Sequence, residues 1–131
     1  MSDTPGIRLD RSLPYVWVRD LDAAKVYYTD RLGFEVAYEA RWDGEGRPAG
    51  LVGVERDGAT LQLSVCQCDD QRHDGLAFFA IEMKSGVDPL YAEYSAKQVK
   101  MRHELKLHDY GAKDFTLEDP DGNWIEFFEM V

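Results

Sequence analysis

The sequence predicts an α+β domain built from two tandem βαβββ modules, their curved mixed sheets arranged around a cleft. Two observations carry this. Asp57-Gly58-Ala59-Thr60-Leu61-Gln62-Leu63 returns 64 residues later as Asp121-Gly122-Asn123-Trp124-Ile125-Glu126-Phe127, and each copy reads as an Asp-Gly turn feeding a strand. The order strand, helix, strand, strand, strand also occurs twice, so the repeating unit is half a domain rather than a short solenoid turn. The 131 residues read as one domain, with a first module at about 13–66 and a second at about 76–131. That length buries a core without disulfides or a structural metal.

In the first module, Leu13 to Val18 is a short apolar strand, and Asp20 caps a helix to about Arg31 with Leu32-Gly33 as its exit. Leu21, Ala24, Tyr28 and Leu32 share a face of that helix. Phe34 to Arg41 alternates as a strand, and Trp42 to Gly50 reads as a loop by composition. Leu51 to Arg56 and Ala59 to Cys66 form a hairpin about Asp57-Gly58. After a polar linker, Gln67 to Asp74, the second module opens with the strand Leu76 to Met83. Gly86 and Asp88-Pro89 start a helix to about Gln98, with Val87, Leu90, Tyr91 and Tyr94 on its apolar face. Lys100 to Leu107 is a weaker strand; Lys113 to Glu118 and Trp124 to Glu129 make a hairpin across Asp119-Pro120-Asp121-Gly122-Asn123.

Fifteen Lys and Arg against 25 Asp and Glu give a net charge of −10, which argues against nucleic acid and anionic membrane as partners. Cationic ligands gain from the same field. Met1 to Asp10 has no apolar core and no stretch reaches the length of a bilayer, so a cytoplasmic protein is expected. Cys66 and Cys68 are separated by one residue, which opposes a mutual disulfide, and reduced thiols are the default. Together with His73 they could bind a metal, but Cys-x-Cys alone is not a zinc pattern.

Val18-Arg19-Asp20-Leu21-Asp22, then Tyr27-Tyr28 and Leu32-Gly33-Phe34, resembles the first strand and helix of the vicinal oxygen chelate proteins. Asp119-Pro120-Asp121-Gly122-Asn123-Trp124-Ile125-Glu126-Phe127 resembles their closing hairpin. That superfamily includes glyoxalases, extradiol dioxygenases and bleomycin resistance proteins. The resemblance places the usual metal-ligand positions at Leu13, Gln62, Phe78 and Glu126, which leaves Glu126 as the only ionic donor. One carboxylate and an amide are too few for a first-row metal, which needs three or more protein ligands. His73, His103 and His108 are expected in surface or packing roles, and no cofactor is expected.

Alternation puts Tyr15 and Trp17, then Thr60, Gln62 and Ser64, then Phe78 and Ala80, then Trp124, Glu126 and Phe128 on the face of those four positions. Trp42 is a further candidate, as a lid or stacking residue. Such a lining suits a planar, partly cationic ligand, although each aromatic alone reads equally as core. The resemblance is to the bleomycin resistance branch, which implies a homodimer that sequesters a cationic aromatic small molecule, a bleomycin-type antibiotic, without turnover. The competing expectation is a metal-dependent lyase, isomerase or dioxygenase in which His73, His103 or His108 coordinates beside Glu126. A non-catalytic scaffold that keeps only the fold is the third.

Overall fold

The computed structural model describes residues 5–44, 47–65 and 77–131, with the side chains of 42–49 outside that description. Its elements are β1 (Tyr15–Trp17), α1 (Leu21–Val26) running into one π-helical turn (Tyr27–Arg31), β2 (Glu35–Gly44), β3 (Arg47–Arg56) and β4 (Ala59–Val65). The second set is β5 (Phe78–Met83), α2 (Val87–Ala96), β6 (Met101–Leu107), β7 (Ala112–Glu118) and β8 (Trp124–Met130). Two four-stranded sheets result, ordered β1-β4-β3-β2 and β5-β8-β7-β6. In each, the outer pair is parallel (β1 with β4, β5 with β8) and the rest is antiparallel.

Local chemistry explains the element ends. Asp20 accepts a hydrogen bond from the Ala23 amide at 3.0 Å and caps α1. Thr29 turns its hydroxyl back onto the Lys25 carbonyl at 2.8 Å, and Leu32 N bonds Tyr27 O, so the helix closes with a wider turn that keeps both Tyr28 and Leu32 buried. Asp57 (φ 52°) and Gly58 (φ 90°) both take the left-handed conformation that a two-residue hairpin turn requires. In α2 the first amide, Val87 N, is capped at 3.0 Å by the Glu129 carboxylate, because Gly86 has no side chain to do it.

Of the stretch read as a loop, Trp42 to Gly50, residues 42–44 and 47–50 instead extend β2 and β3, with Trp42 opposite Ala49 and Asp43 opposite Pro48. Proline is tolerated there because the β4 pairing of β3 ends at Gly50, so the missing Pro48 N–H is not needed by a third strand. Cys66, Cys68, His73 and the polar linker lie outside the described residues.

Each helix covers one face of its own sheet, α1 over β3 and β4, α2 over β7 and β8. Val16, Leu61, Leu63, Val52 and Val54 from the first sheet join Phe115, Leu117, Ile125 and Phe127 from the second in one continuous core. The modules are pinned together on this side. Tyr28 donates to Asp119 at 2.7 Å, Tyr94 to the Leu32 carbonyl at 2.7 Å, and Arg56 grips Glu93 through two bonds of 2.7 and 2.9 Å. Since both helix-covered faces meet in this core, the residues of opposite parity form an open face on each sheet.

Register shows the duplication at the level of single positions. Gln62 sits between Tyr15 and Gly53, and Glu126 sits between Ala80 and Thr116, so Gln62 and Glu126 are equivalent. At Gly53 the Tyr38 ring crosses the strand to reach Gln62, and a Cβ there would land inside that ring. Gly53→Ala is therefore expected to destabilise by about 1–3 kcal/mol, the usual cost of overpacking. Urea denaturation measures it, and a cost near zero would mean that the ring moves freely.

Candidate functional site

The open faces carry the residues selected from sequence. Tyr15 (49 % exposed) and Trp17 stand on β1 with their rings 5.9 Å apart. Thr60, Gln62 and Ser64 are buried along β4, where Arg11 donates to Thr60 Oγ1 at 3.1 Å and Ser64 donates to the Gly50 carbonyl at 3.3 Å. Gln62 Oε1 accepts a 2.5 Å hydrogen bond from the Tyr38 hydroxyl. On the second sheet Phe78 (63 % exposed) meets Trp124 edge to face at 5.7 Å, and Glu126 and Phe128 continue the row, half-buried. Leu13 lies just before β1, half-buried. Trp42 has its backbone in β2, not in a polar loop, and its side chain is outside the description.

The structure brings His103, His108 and Asp114 together as a candidate donor set. His103 and His108 are five residues apart, an odd separation that puts them on opposite faces of a regular strand. Strand β6 is not regular. Lys106 pairs with Asp114, His103 with Thr116 and Met101 with Leu117, so β6 carries an extra residue on each side of His103. The bulge between His103 and Lys106 turns His103 onto the open face with Asp114 and Thr116. The turn after β6, with Gly111 at φ 93° and His108 N bonded to Ala112 O at 2.8 Å, keeps His108 over the same face.

His108 Nε2 lies 2.7 Å from Asp114 Oδ1, and ligand atoms of His103, His108 and Asp114 all fall within 4.8 Å of one another. The rings of His103, His108 and Tyr110 stack in sequence at 6.0 and 5.1 Å. The Glu126 carboxyl bonds to Asp114 from β8, which ties the cluster to the position singled out by the repeat. Burial pushes the Asp114 carboxyl up, but hydrogen bonds with Glu126 and His108 outweigh it and hold the group below its ordinary value. The pair shares a proton: the hydrogen bond with Asp114, then burial, then the Asp114 charge raise Glu126 to about 7.

That shift has a sign. A carboxyl raised on folding contributes stability fully below its unfolded value of 4.5, and the contribution is lost as pH rises through about 7. Asp114 has the opposite sign, but its loss falls below 3.8, outside this window. In metal-free protein, Glu126→Gln is expected to flatten the part of the fall in melting temperature between pH 5 and pH 8 that Glu126 causes. Calorimetry at both pH values checks this, and an unchanged slope would contradict the shared proton.

The usual superfamily positions do not make a metal site here, because Leu13 and Phe78 offer hydrocarbon and the Gln62 amide oxygen is engaged by Tyr38. The β6–β7 cluster does fit by donor chemistry. Two imidazoles and one carboxylate are a common set for a divalent first-row ion with positions left open. Sequence alone did not bring His103, His108 and Asp114 together, and the cue available was Asp109-Tyr110-Gly111, a tight turn that folds His108 back toward Asp114. A separate cavity of about 510 Å³ opens on the helix side between the modules, over Phe34, Leu90 and Phe127. It is lined by no histidine.

A duplicated βαβββ domain with polar donors on the open face of a mixed sheet belongs to a class that presents its chemistry from the sheet and its core from the helices. The chain is a member of the Glyoxalase/Bleomycin resistance protein/Dioxygenase superfamily, whose pattern matches residues 8–127. No curated protein matches it significantly. Among solved structures it is similar to TioX from Micromonospora sp. ML1, with a TM-score of 0.72 and 15 % identity over 92 % of this chain and 100 % of that one. The bleomycin resistance determinant encoded on transposon Tn5 gives 0.72 and 19 % over 93 % and 98 %. Lactoylglutathione lyase from Agrobacterium tumefaciens gives 0.67 and 22 % over 96 % of each. At these identities the fold alone is shared, and no branch stands out. Among the described residues no helix is long and apolar enough to cross a membrane.

Proposed function

We propose that the protein is a metal-dependent enzyme of its superfamily, a glyoxalase-like lyase or isomerase or an extradiol-type dioxygenase. His103, His108 and Asp114 hold the ion. The observation that supports this is the convergence of the two imidazoles and the carboxylate within 4.8 Å beside Glu126. A divalent metal there would polarise substrate oxygens as a Lewis acid. Glu126 stands outside the ligand set and is the proton carrier. In the metal-free state its hydrogen bond with Asp114, then burial, then the Asp114 charge hold its proton to near neutrality, and coordination of Asp114 would remove the first and last of these and leave a carboxylate that can accept one. The exposed Phe78 walls the substrate on the side toward β5.

The exposed Tyr15 and Phe78 support a second element of the reading, a homodimer in which a partner covers the open faces. Bleomycin-type sequestration has less support. It needs a cation over the aromatic row, and the Trp124 ring is already covered by Arg102, whose guanidinium lies 4.5 Å from the ring centre. Elemental analysis of protein purified without chelator tests the proposal. About one divalent ion per chain is expected; protein that retains none and takes up none at millimolar concentration would return the reading to metal-free binding.

A further inference from the structure

Among the described residues Arg102 is a cation without an anion, in an acid-rich chain. Two nearby cations are paired with carboxylates: Lys100 with Glu118 at 3.1 Å and Lys113 with Asp88 at 2.7 Å. The carboxylates of the cluster are also taken, since Asp114 and Glu126 engage one another and His108. Among the described residues Arg102 contacts no carboxylate. It reaches across β7 to place its guanidinium carbon 4.5 Å from the centre of the Trp124 ring on β8, and Phe78 meets that ring edge to face at 5.7 Å.

A cation–π contact does not use up the N–H donors of a guanidinium, which form a planar fork that matches a carboxylate bidentately. The place of the fork is informative. Arg102 directly precedes His103, and Trp124 lies two residues before Glu126 on the same face, a separation of roughly 7 Å along the strand. An anion on Arg102 is therefore about one substrate length from the metal donors.

We propose that Arg102, laid on Trp124, is the receptor for a carboxylate of the substrate, and that the substrate is a small organic acid with its reacting oxygens roughly 7 Å from that carboxylate. This rests on the metal-dependent reading for the location of the reacting oxygens, but not for the carboxylate site itself. The exposed Phe78 gives a planar or aromatic acid an apolar wall, and Arg102 fixes which end points away from the cluster.

The test uses benzoate as probe, benzamide as its neutral counterpart and inorganic phosphate as the competing anion, on chelator-treated protein. Binding is followed by Trp fluorescence and by the Arg102 Nε–H and Trp124 indole resonances. Benzoate is expected to bind at least about tenfold tighter than benzamide and to lose that advantage in Arg102→Gln, with Arg102→Lys recovering only part of it. Arg102 is exposed, so the melting temperature of Arg102→Gln stays within a few degrees of the parent. Equal binding of benzoate and benzamide, an unaffected Arg102→Gln, or preference for phosphate would each overturn the proposal. Zinc titration of Arg102→Gln separates the two readings: binding as tight as in the parent places Arg102 outside the metal site. If zinc binds to neither protein while benzoate still depends on Arg102, only the metal assignment falls.

Discussion

His108→Ala is expected to weaken divalent-metal binding by at least about a hundredfold, since removing even an outer-sphere partner costs 10–100-fold and His108 is a direct donor. The reasoning is geometric. His108 Nε2 points at Asp114 Oδ1 from 2.7 Å, so an ion that takes both as ligands needs only a small spreading of an existing contact. His103, stacked on His108 at 6.0 Å, is the third donor, and His103→Ala should lose a comparable factor. Tyr110→Phe keeps the stack and offers no lost ligand, so its affinity should match the parent. Isothermal titration of chelator-stripped protein with zinc measures all three. Parent-like affinity in His108→Ala would place the ion elsewhere.

The largest loss of stability is expected at Asp119. Its carboxylate is 3 % exposed and accepts four hydrogen bonds: from the Tyr28 hydroxyl at 2.7 Å, the Asn123 amide at 2.8 Å, and the Asp121 amide and Asn123 Nδ2 at 3.0 Å each. Asn123 in turn accepts from the Ala77 amide and donates to the Trp17 carbonyl, so one turn fixes the start of β5, the end of β1 and the π-helical turn. Among the described residues no buried side-chain polar atom lacks a partner, and Asp119→Ala would create several such atoms at once. A cost of about 3–5 kcal/mol is expected for breaking a buried charged network. Tyr28→Phe removes one donor of the four and should cost about 1 kcal/mol. Chemical denaturation of both variants gives the comparison; equal losses would mean that the turn does not depend on Asp119.

The fold was legible in the sequence because its two strongest signals are local and repeated. Asp57-Gly58 and Asp121-Gly122 are turn pairs with few other uses, and the buried helix faces, Leu21-Ala24-Tyr28-Leu32 and Val87-Leu90-Tyr94, follow helical spacing. The equivalence of Gln62 and Glu126 followed from the repeat and holds in the strand register. Two features were not legible, for different reasons. Trp42 to Gly50 has the composition of a loop, yet hairpin pairing overrides composition where a long β2 gives β3 a partner. The convergence of the candidate donors was not legible because alternation does not predict the irregular register that β6 has on both sides of His103. A one-residue bulge changes which face a histidine occupies while leaving no mark in hydrophobic periodicity.

The proposed placement moves the chemistry across the sheet. The resemblance puts the superfamily positions on the first and last strand of each module, whereas the candidate donors lie on β6, just after it and on β7, and only Glu126 of the expected set is beside them. The first sheet shows the counterpart without the metal donors: Tyr38, Gly53 and Gln62 occupy the places of His103, Thr116 and Glu126, and a single hydrogen bond ties Tyr38 to Gln62.

Anomalous diffraction from crystals of the zinc-loaded protein is the most direct test of this placement. One zinc peak per chain at about 2.0–2.2 Å from His103, His108 and Asp114 is the predicted result. A peak beside Gln62 and Glu126 instead, or no peak at that open face, would contradict it.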